Sequence, residues 1–484
     1  MHISLQSAQS QAAAVASKEI SASELLDQTL ERYERLNPSI NAVIATQIDE
    51  ARGRAKAADG VTASSGSWGP LHGVPMTIKE SWDWIGSAST SGHAHLADWR
   101  PERNSEAIDR LLDAGAIIYG KTNLPVGMAD WQTFNPLYGS TGNPWNNEMT
   151  PGGSSGGAAA ALAAGLTAIE LGSDIGASIR NPAHYCGIFG HKPTFGLVPA
   201  HGHGNPGSPV ELDIGVGGPL ARYASDLTLG LDIVAGAGGL DARGWKLELP
   251  QPRQLDFTKL KVAVMLESDC CVTQDNELTE QLAATVAALG ELGVQLDYDA
   301  HPDIDFERSH HDYMMLLRSA TGTEATAEAY AKHNENAKRW DDGDRDYRAL
   351  MGAGISLSHW QWAKHNTNRE TDRLAWDAFF DDYDLLLCPI AASAAYIKDE
   401  EGARADRTIT VNGEQHHTTD QLFWAGLSCG VYLPGTVAPA GFTKSGLPCG
   451  LQIVAGHLRD RESLAFAEFM ERELGGFVTP PGYE

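Results

Sequence analysis

Nowhere in this chain do about 18 apolar residues run without interruption, so a membrane-spanning helix is not expected. The opening stretch MHISLQSAQSQAAAVASKEIS lacks a basic segment followed by an apolar one, and no export signal is read there. Cysteine is scarce: Cys186, Cys270, Cys271, Cys388, Cys429 and Cys449 are the only six, with no C-x-x-C spacing. Metal-thiolate sites are thereby disfavoured, and reduced, mostly buried thiols of a cytoplasmic protein are expected. Basic residues are also in deficit, 36 against 63 acidic, for a formal charge of −27. Such a surface repels a phosphate backbone or an anionic membrane, so nucleic acid is not an expected partner. H-E-x-x-H does not occur, and no Gly-Lys-Ser/Thr follows the glycine-rich run GGSSGG, which is therefore a poor fit to a phosphate loop. The H-x-H pairs His93/His95 and His201/His203 therefore read as loop histidines, and no metal or other cofactor is expected.

What is present is an ordinary globular composition, 42% hydrophobic and 20% charged over 484 residues. That length holds about three average domains or one large α/β unit. Ser21-Ala22-Ser23-Glu24 matches a capping box, and Leu25, Leu26, Thr29, Leu30, Tyr33 and Leu36 then share one helical face up to Asn37-Pro38. A short β-rich run from Val74 to Ile78 ends at Lys79. Ala107, Ile108, Leu111 and Leu112 form a helical stripe before a strand from Ala116 to Tyr119. This alternation predicts a βα-type sheet. Residues 151–165, PGGSSGGAAAALAAG, pass from a glycine-rich loop into an alanine-rich helix. The apolar run Leu166 to Leu171 leads to a polar turn from Gly172 to Ser178. Farther on, Val262 to Leu266 reads as a strand, Leu278 to Leu292 as a helix face, about 305–385 as mostly helical, and Leu451 to Val454 with Glu462 to Leu474 as a final strand and helix. The helical part is expected to cap a pocket.

Three segments carry candidate chemistry. A serine hydroxyl needs a base, and lysine serves as one only when desolvation keeps it neutral. Lys79, at the end of an apolar run, is placed for this, although an exposed strand-end lysine is the ordinary alternative. Ser154 and Ser155 lie in GGSSGG, which read alone is a tight turn before a helix, or a G-x-S-x-G nucleophile elbow with His457 as a nominal partner. Ser178 closes a turn whose successive N–H groups could converge on an oxyanion, or that merely connects a strand to a helix.

Together these segments resemble the amidase signature family. The resemblance runs through Leu71-His72-Gly73-Val74-Pro75-Met76-Thr77-Ile78-Lys79-Glu80, Gly120-Lys121-Thr122-Asn123-Leu124-Pro125, Asn143-Pro144-Trp145 and Pro151 to Thr194, and more weakly through Gly446 to Val454. It implies an α/β fold with a mixed, mostly parallel central sheet covered by helices on both faces. It also implies one domain over residues 1–484, with the catalytic motifs at about 60–200 and a more variable pocket region at about 305–430. The implied triad is Lys79 as base, Ser154 as bridging serine after a cis peptide bond at Gly153, and Ser178 as nucleophile. The N–H groups of Ile175, Gly176, Ala177 and Ser178 would form the oxyanion hole. Asp174 and Arg180 would brace the loop, and Met128 and Ser155 fall at substrate-binding positions. One departure stands out: the family usually has glycine where this chain has Ala177, and the sign of φ there decides whether the methyl group is harmless.

The function implied is hydrolysis of a small-molecule amide through an acyl-enzyme, with esters or carbamates as further substrates. A homodimer is compatible with this. The alternatives are an amidotransferase component that delivers ammonia to a partner and an α/β-hydrolase-type esterase. Trp131, Phe134, Trp360 and Trp362 suggest an apolar or aryl substrate, or ordinary packing.

Overall fold

A computed structural model describes residues 2–204, 206–271, 274–322, 326–344 and 346–484. Its centre is an eight-stranded sheet in the order Gln295–Asp297, Lys261–Val264, Leu385–Cys388, Pro448–Ala455, Gly435–Phe442, Phe189–Lys192, Val216–Ala221 and Ile169–Asp174. A smaller sheet of three strands places Ile117–Thr122 between Val43–Thr46 and Pro75–Lys79. The α/β architecture with a mixed sheet is as expected, but the lean toward parallel pairing is not. Among the described strands of the large sheet only two pairings, Gln295–Asp297 with Lys261–Val264 and Lys261–Val264 with Leu385–Cys388, are parallel. The other five are antiparallel. For one of these five pairings the reason is connection length. Parallel neighbours need a crossover of about a dozen residues or more, whereas Gly435–Phe442 returns into Pro448–Ala455 through a short turn. Small residues and Pro439 had hidden the first of these two strands.

The first long helix, Ala22–Ile40, begins at the expected capping box, with Ser21 accepting from the Glu24 N–H. It does not stop at Asn37-Pro38. Pro38 is accommodated in the last turn, which ends at the left-handed Asn41 (φ 49°). The Asn37 amide group then replaces helical pairing by accepting from the N–H groups of Ala42 and Val43 and donating to the Val43 carbonyl.

The two sheets approach each other along Pro75–Lys79 and Ile169–Asp174. The Thr77 N–H donates to Thr167 Oγ1 at 3.0 Å, and Thr77 Oγ1 donates to Glu170 at 2.8 Å. The buried helix Gly156–Ala163 packs close to this junction. A side chain at Gly157 would stand 2.4 Å from the Asn123 nitrogen, so only glycine allows the helix so near that backbone. Above lie four helices, Phe306–Thr321, Ala327–Asp341, Tyr347–Ile355 and His359–Asp382. Each starts at a side-chain cap, from Asp305, Thr326, Asp346 and Ser358 respectively. No helix among the described residues is long and apolar enough to cross a membrane.

Candidate active site

A cavity of about 370 Å³ lies between the sheet junction and the first three of the four helices. Its floor is formed by Ser154, Ser173, Asp174, Ile175, Gly176 and Ser178, and Met128 and Trp131 line it from the loop after Pro125. Lys79 reaches this floor from the end of its strand. The side chain is fully buried, and Nζ lies 2.6 Å from Ser154 Oγ and 2.9 Å from Ser173 Oγ. Burial disfavours the ammonium and lowers Lys79 to about 7, against the opposing pull of Asp174 and Glu170. Lys121, also buried, is held differently. Its ammonium donates to the Glu80 and Ala88 carbonyls and to Ser89 Oγ, away from the cavity.

Ser154 follows a cis peptide bond from Gly153. Asn181 ties this bend to the neighbouring loop, accepting from the Gly153 N–H at 3.1 Å and donating to the Ala177 carbonyl at 2.9 Å. The Ser155 N–H donates to the Ser178 carbonyl at 3.0 Å, so the two serine-bearing segments are held together.

Ser155 itself does not line the cavity. Its hydroxyl accepts from the Ser173 N–H at 3.4 Å and donates to the Ser173 carbonyl at 3.3 Å. The expected substrate contact at Ser155 is therefore replaced by a structural one. Successive residues at a helix start point in different directions, so Ser154 and Ser155 do not both face the same space.

Asp174 organises the loop that ends at Ser178. Its carboxylate accepts from the N–H groups of Ala177 at 2.8 Å and Ile179 at 3.0 Å, and from the Arg180 guanidinium at 2.9 Å through Nε and through Nη2. Burial alone would raise this carboxyl, and the Arg180 charge overcomes it and holds the group down to about 2. Arg180 is anchored in turn by Ser428 Oγ at 2.7 Å and by Gln452.

The expected set of four oxyanion donors shrinks accordingly. The Ala177 N–H is committed to Asp174, and Ala177 does not line the cavity. The N–H groups of Ile175, Gly176 and Ser178 have no acceptor among the described residues. Ala177 adopts φ 69°, the left-handed conformation that glycine takes freely. That conformation costs an alanine about 1–2 kcal/mol. The methyl group is fully buried, which returns about 0.8 kcal/mol and offsets much of the cost.

Three groups important to this geometry were not singled out in the sequence. Ser173 lies in a strand end that reads as a turn, because Ser173 and Asp174 pair with Gly217 and Val216. Glu170 lies within the run taken as apolar. Burial pushes it up to about 8, Oε1 accepts from Thr77 and Thr122, and Oε2 has no partner among the described residues. A carboxylate inside an otherwise apolar strand was the available signal. Asn181, which ties Gly153 to Ala177, carried none.

The remaining expectations separate cleanly. Met128 lines the cavity, with Sδ 3.9 Å from Ser173 Oγ. Of the four aromatics, Trp131 alone lines it, donating from Nε1 to the Gly176 carbonyl at 2.8 Å. Phe134 packs under Arg407, Trp360 is 66% exposed, and Trp362 stacks on His359. His457 lies near Lys192, Arg373, Asp377 and Asp460 and away from the cavity lining. His203 is pinned to Ser81 and lowered by burial to about 3, while His201 pairs with Glu211 at 2.8 Å, so the members of that H-x-H pair take separate partners.

Comparison with known proteins places this arrangement. An indoleacetamide hydrolase of Bradyrhizobium diazoefficiens is 32% identical over 96% of this chain and 86% of its own length. One of the subunits of the glutamyl-tRNA(Gln) amidotransferase of a Synechococcus strain is 31% identical over 96% of each chain. Among solved structures, a bacterial aryl acylamidase of the amidase signature family superposes with a TM-score of 0.82 at 25% identity, covering 97% of this chain and 96% of that one. The family model described as Amidase matches residues 24–464, and this chain belongs to the amidase family.

Proposed function

We propose that this protein hydrolyses the C–N bond of a small amide through an acyl-enzyme on Ser178, working as one catalytic domain. The observation that carries the reading is the buried Lys79 amine, 2.6 Å from Ser154 Oγ and lowered to about 7. Near neutral pH a large share of this amine is unprotonated and able to take a proton. Ser178 Oγ attacks the carbonyl carbon, its proton passes to Ser154 Oγ, and the Ser154 proton passes to Lys79 Nζ. Negative charge collects on the carbonyl oxygen, where the N–H groups of Ile175, Gly176 and Ser178 receive it. Each such donor is worth roughly 10²- to 10³-fold in rate. Collapse breaks the C–N bond, and the relay returns its proton to the leaving amine. Water then repeats the sequence and releases the acid. Esters and carbamates pass through the same tetrahedral oxyanion and fall within reach.

Ser178→Ala tests this directly. Hydrolysis of an aryl amide panel should fall by at least ~10³-fold, and labelling by a fluorophosphonate should vanish. Undiminished labelling would end the assignment. A second reading, ammonia delivery within an amidotransferase, is favoured by the likeness to the Synechococcus amidotransferase component. It requires a stoichiometric partner on purification and glutamine hydrolysis that depends on that partner.

A further inference from the structure

Arg318, on the helix Phe306–Thr321, lines the same cavity from the cap side. The residue is only 4% exposed, and its Nε and Nη2 are buried without a hydrogen-bond partner among the described residues. Among the described residues the groups that act on its charge are Tyr347, Arg404 and Tyr313, with no carboxylate among them. Its guanidinium carbon lies 5.1 Å from the centroid of the Tyr347 ring, and that of Arg404, a second cation lining the cavity, lies 5.9 Å from the same ring. An aromatic face attracts a cation but offers no acceptor to its N–H groups. His333 adds a buried Nδ1 that also lacks a partner among the described residues.

A buried charge without a counter-ion is among the most unfavourable arrangements in a folded protein. This chain has 63 acidic residues from which a partner could have been drawn, yet none among the described residues is there. Leu317, Met351 and Ile355 give the same cavity apolar lining. Position along the helix sets the scale. Tyr313 touches the Ile175 carbonyl at 3.1 Å, and Arg318 follows five residues later, about 7.5 Å along the axis.

We infer that Arg318 anchors an anion subsite, and that the amide cleaved here carries a carboxylate separated from the scissile bond by a short apolar segment. The inference rests on the amide-hydrolysis reading and adds the substrate class to it. A strongly acidic protein repels anionic substrates in general, so a local cation is what such a substrate requires.

Two matched pairs test it: adipic acid monoanilide against hexananilide, with the carboxylate on the acyl side, and 4-acetamidobenzoate against acetanilide, with it on the amine side. The wild type should favour the carboxylate member of one pair by roughly 10- to 100-fold in kcat/KM, the range of a charge-assisted hydrogen bond. Arg318→Met should abolish that preference, and Arg318→Lys should retain part of it, with circular dichroism reporting the fold of each. A measurement free of variants accompanies these: adipate should slow fluorophosphonate labelling of the wild type, and 1,6-hexanediol should not. Loss of preference in both pairs together with no protection by adipate overturns the subsite, as does an undiminished preference in Arg318→Met. Protection by adipate without turnover of any anilide leaves the subsite standing and removes the amide-hydrolysis reading alone.

Discussion

On the floor of the cavity, buried polar groups are joined to one another. Lys79 meets Ser154 and Ser173, Asp174 meets Arg180 and two backbone N–H groups, and Arg180 meets Ser428 and Gln452. On the cap side a set of groups differs, although Arg308, Asp312, Asp372 and His365 of the same helices do pair with one another. Arg318, His333 and the Tyr347 hydroxyl are buried polar groups without partners among the described residues. The difference separates two tasks. A network satisfied before substrate arrives holds its geometry through the reaction, as stabilisation of a developing charge requires. Groups left unsatisfied are the ones a ligand can complete: on the floor the backbone N–H groups of Ile175, Gly176 and Ser178, which on the proposed reading receive the oxyanion, and on the cap whole side chains, which on that reading carry selectivity.

The largest effect that would sharpen this contrast is expected at Lys79. Its conjugate acid is lowered to about 7, so the reactive neutral amine accumulates as pH rises through that value. A pH profile of kcat/KM should climb about tenfold per unit below it and level off above. Lys79→Arg, charged throughout, should lose ~10³-fold or more and show no inflection. A flat wild-type profile across this range would remove the lysine from the relay.

Next in size is Arg180→Met, which leaves the Asp174 carboxylate buried and unpaired. Urea unfolding should show a loss of about 3–5 kcal/mol. The pH dependence has a definite sign. The Asp174 carboxyl is depressed in the folded state to about 2, so the stability it contributes is complete above its unfolded value and is lost as pH falls toward about 2.

The smallest effect belongs to the cap. Tyr347→Phe removes a hydroxyl that has no partner among the described residues, and stability should stay within about 0.5 kcal/mol or rise. A loss above about 1 kcal/mol in the same urea titration would mean that the cap is paired like the floor, and the comparison would fail.

Legibility in the sequence followed the same division. Lys79 was visible because it terminates an apolar run, and the strand Pro75–Lys79 is buried at every position. Ser154 and Ser178 drew their meaning from spacing and resemblance, since either loop read alone is an ordinary turn. Ser173 and Glu170 were passed over because a polar residue in a short strand looks like a turn or a surface position until its neighbours are known. Arg318 gave no signal at all: in DYMMLLRSAT an arginine on an amphipathic helix reads as solvated.

By itself, then, the sequence determined the order and spacing of the catalytic segments, the helices that begin at capping residues, and the family, because these depend on near neighbours in the chain. Only the tertiary structure decided which way Ser155 faces, that Ala177 is left-handed with its N–H held by Asp174, that most strands pair antiparallel, and that Arg318 is buried without a counter-ion among the described residues. Apart from the contact of Ala177 with Asp174, three residues away, these depend on groups far apart in the chain and on how completely water is excluded where they meet, which no local pattern of residues encodes.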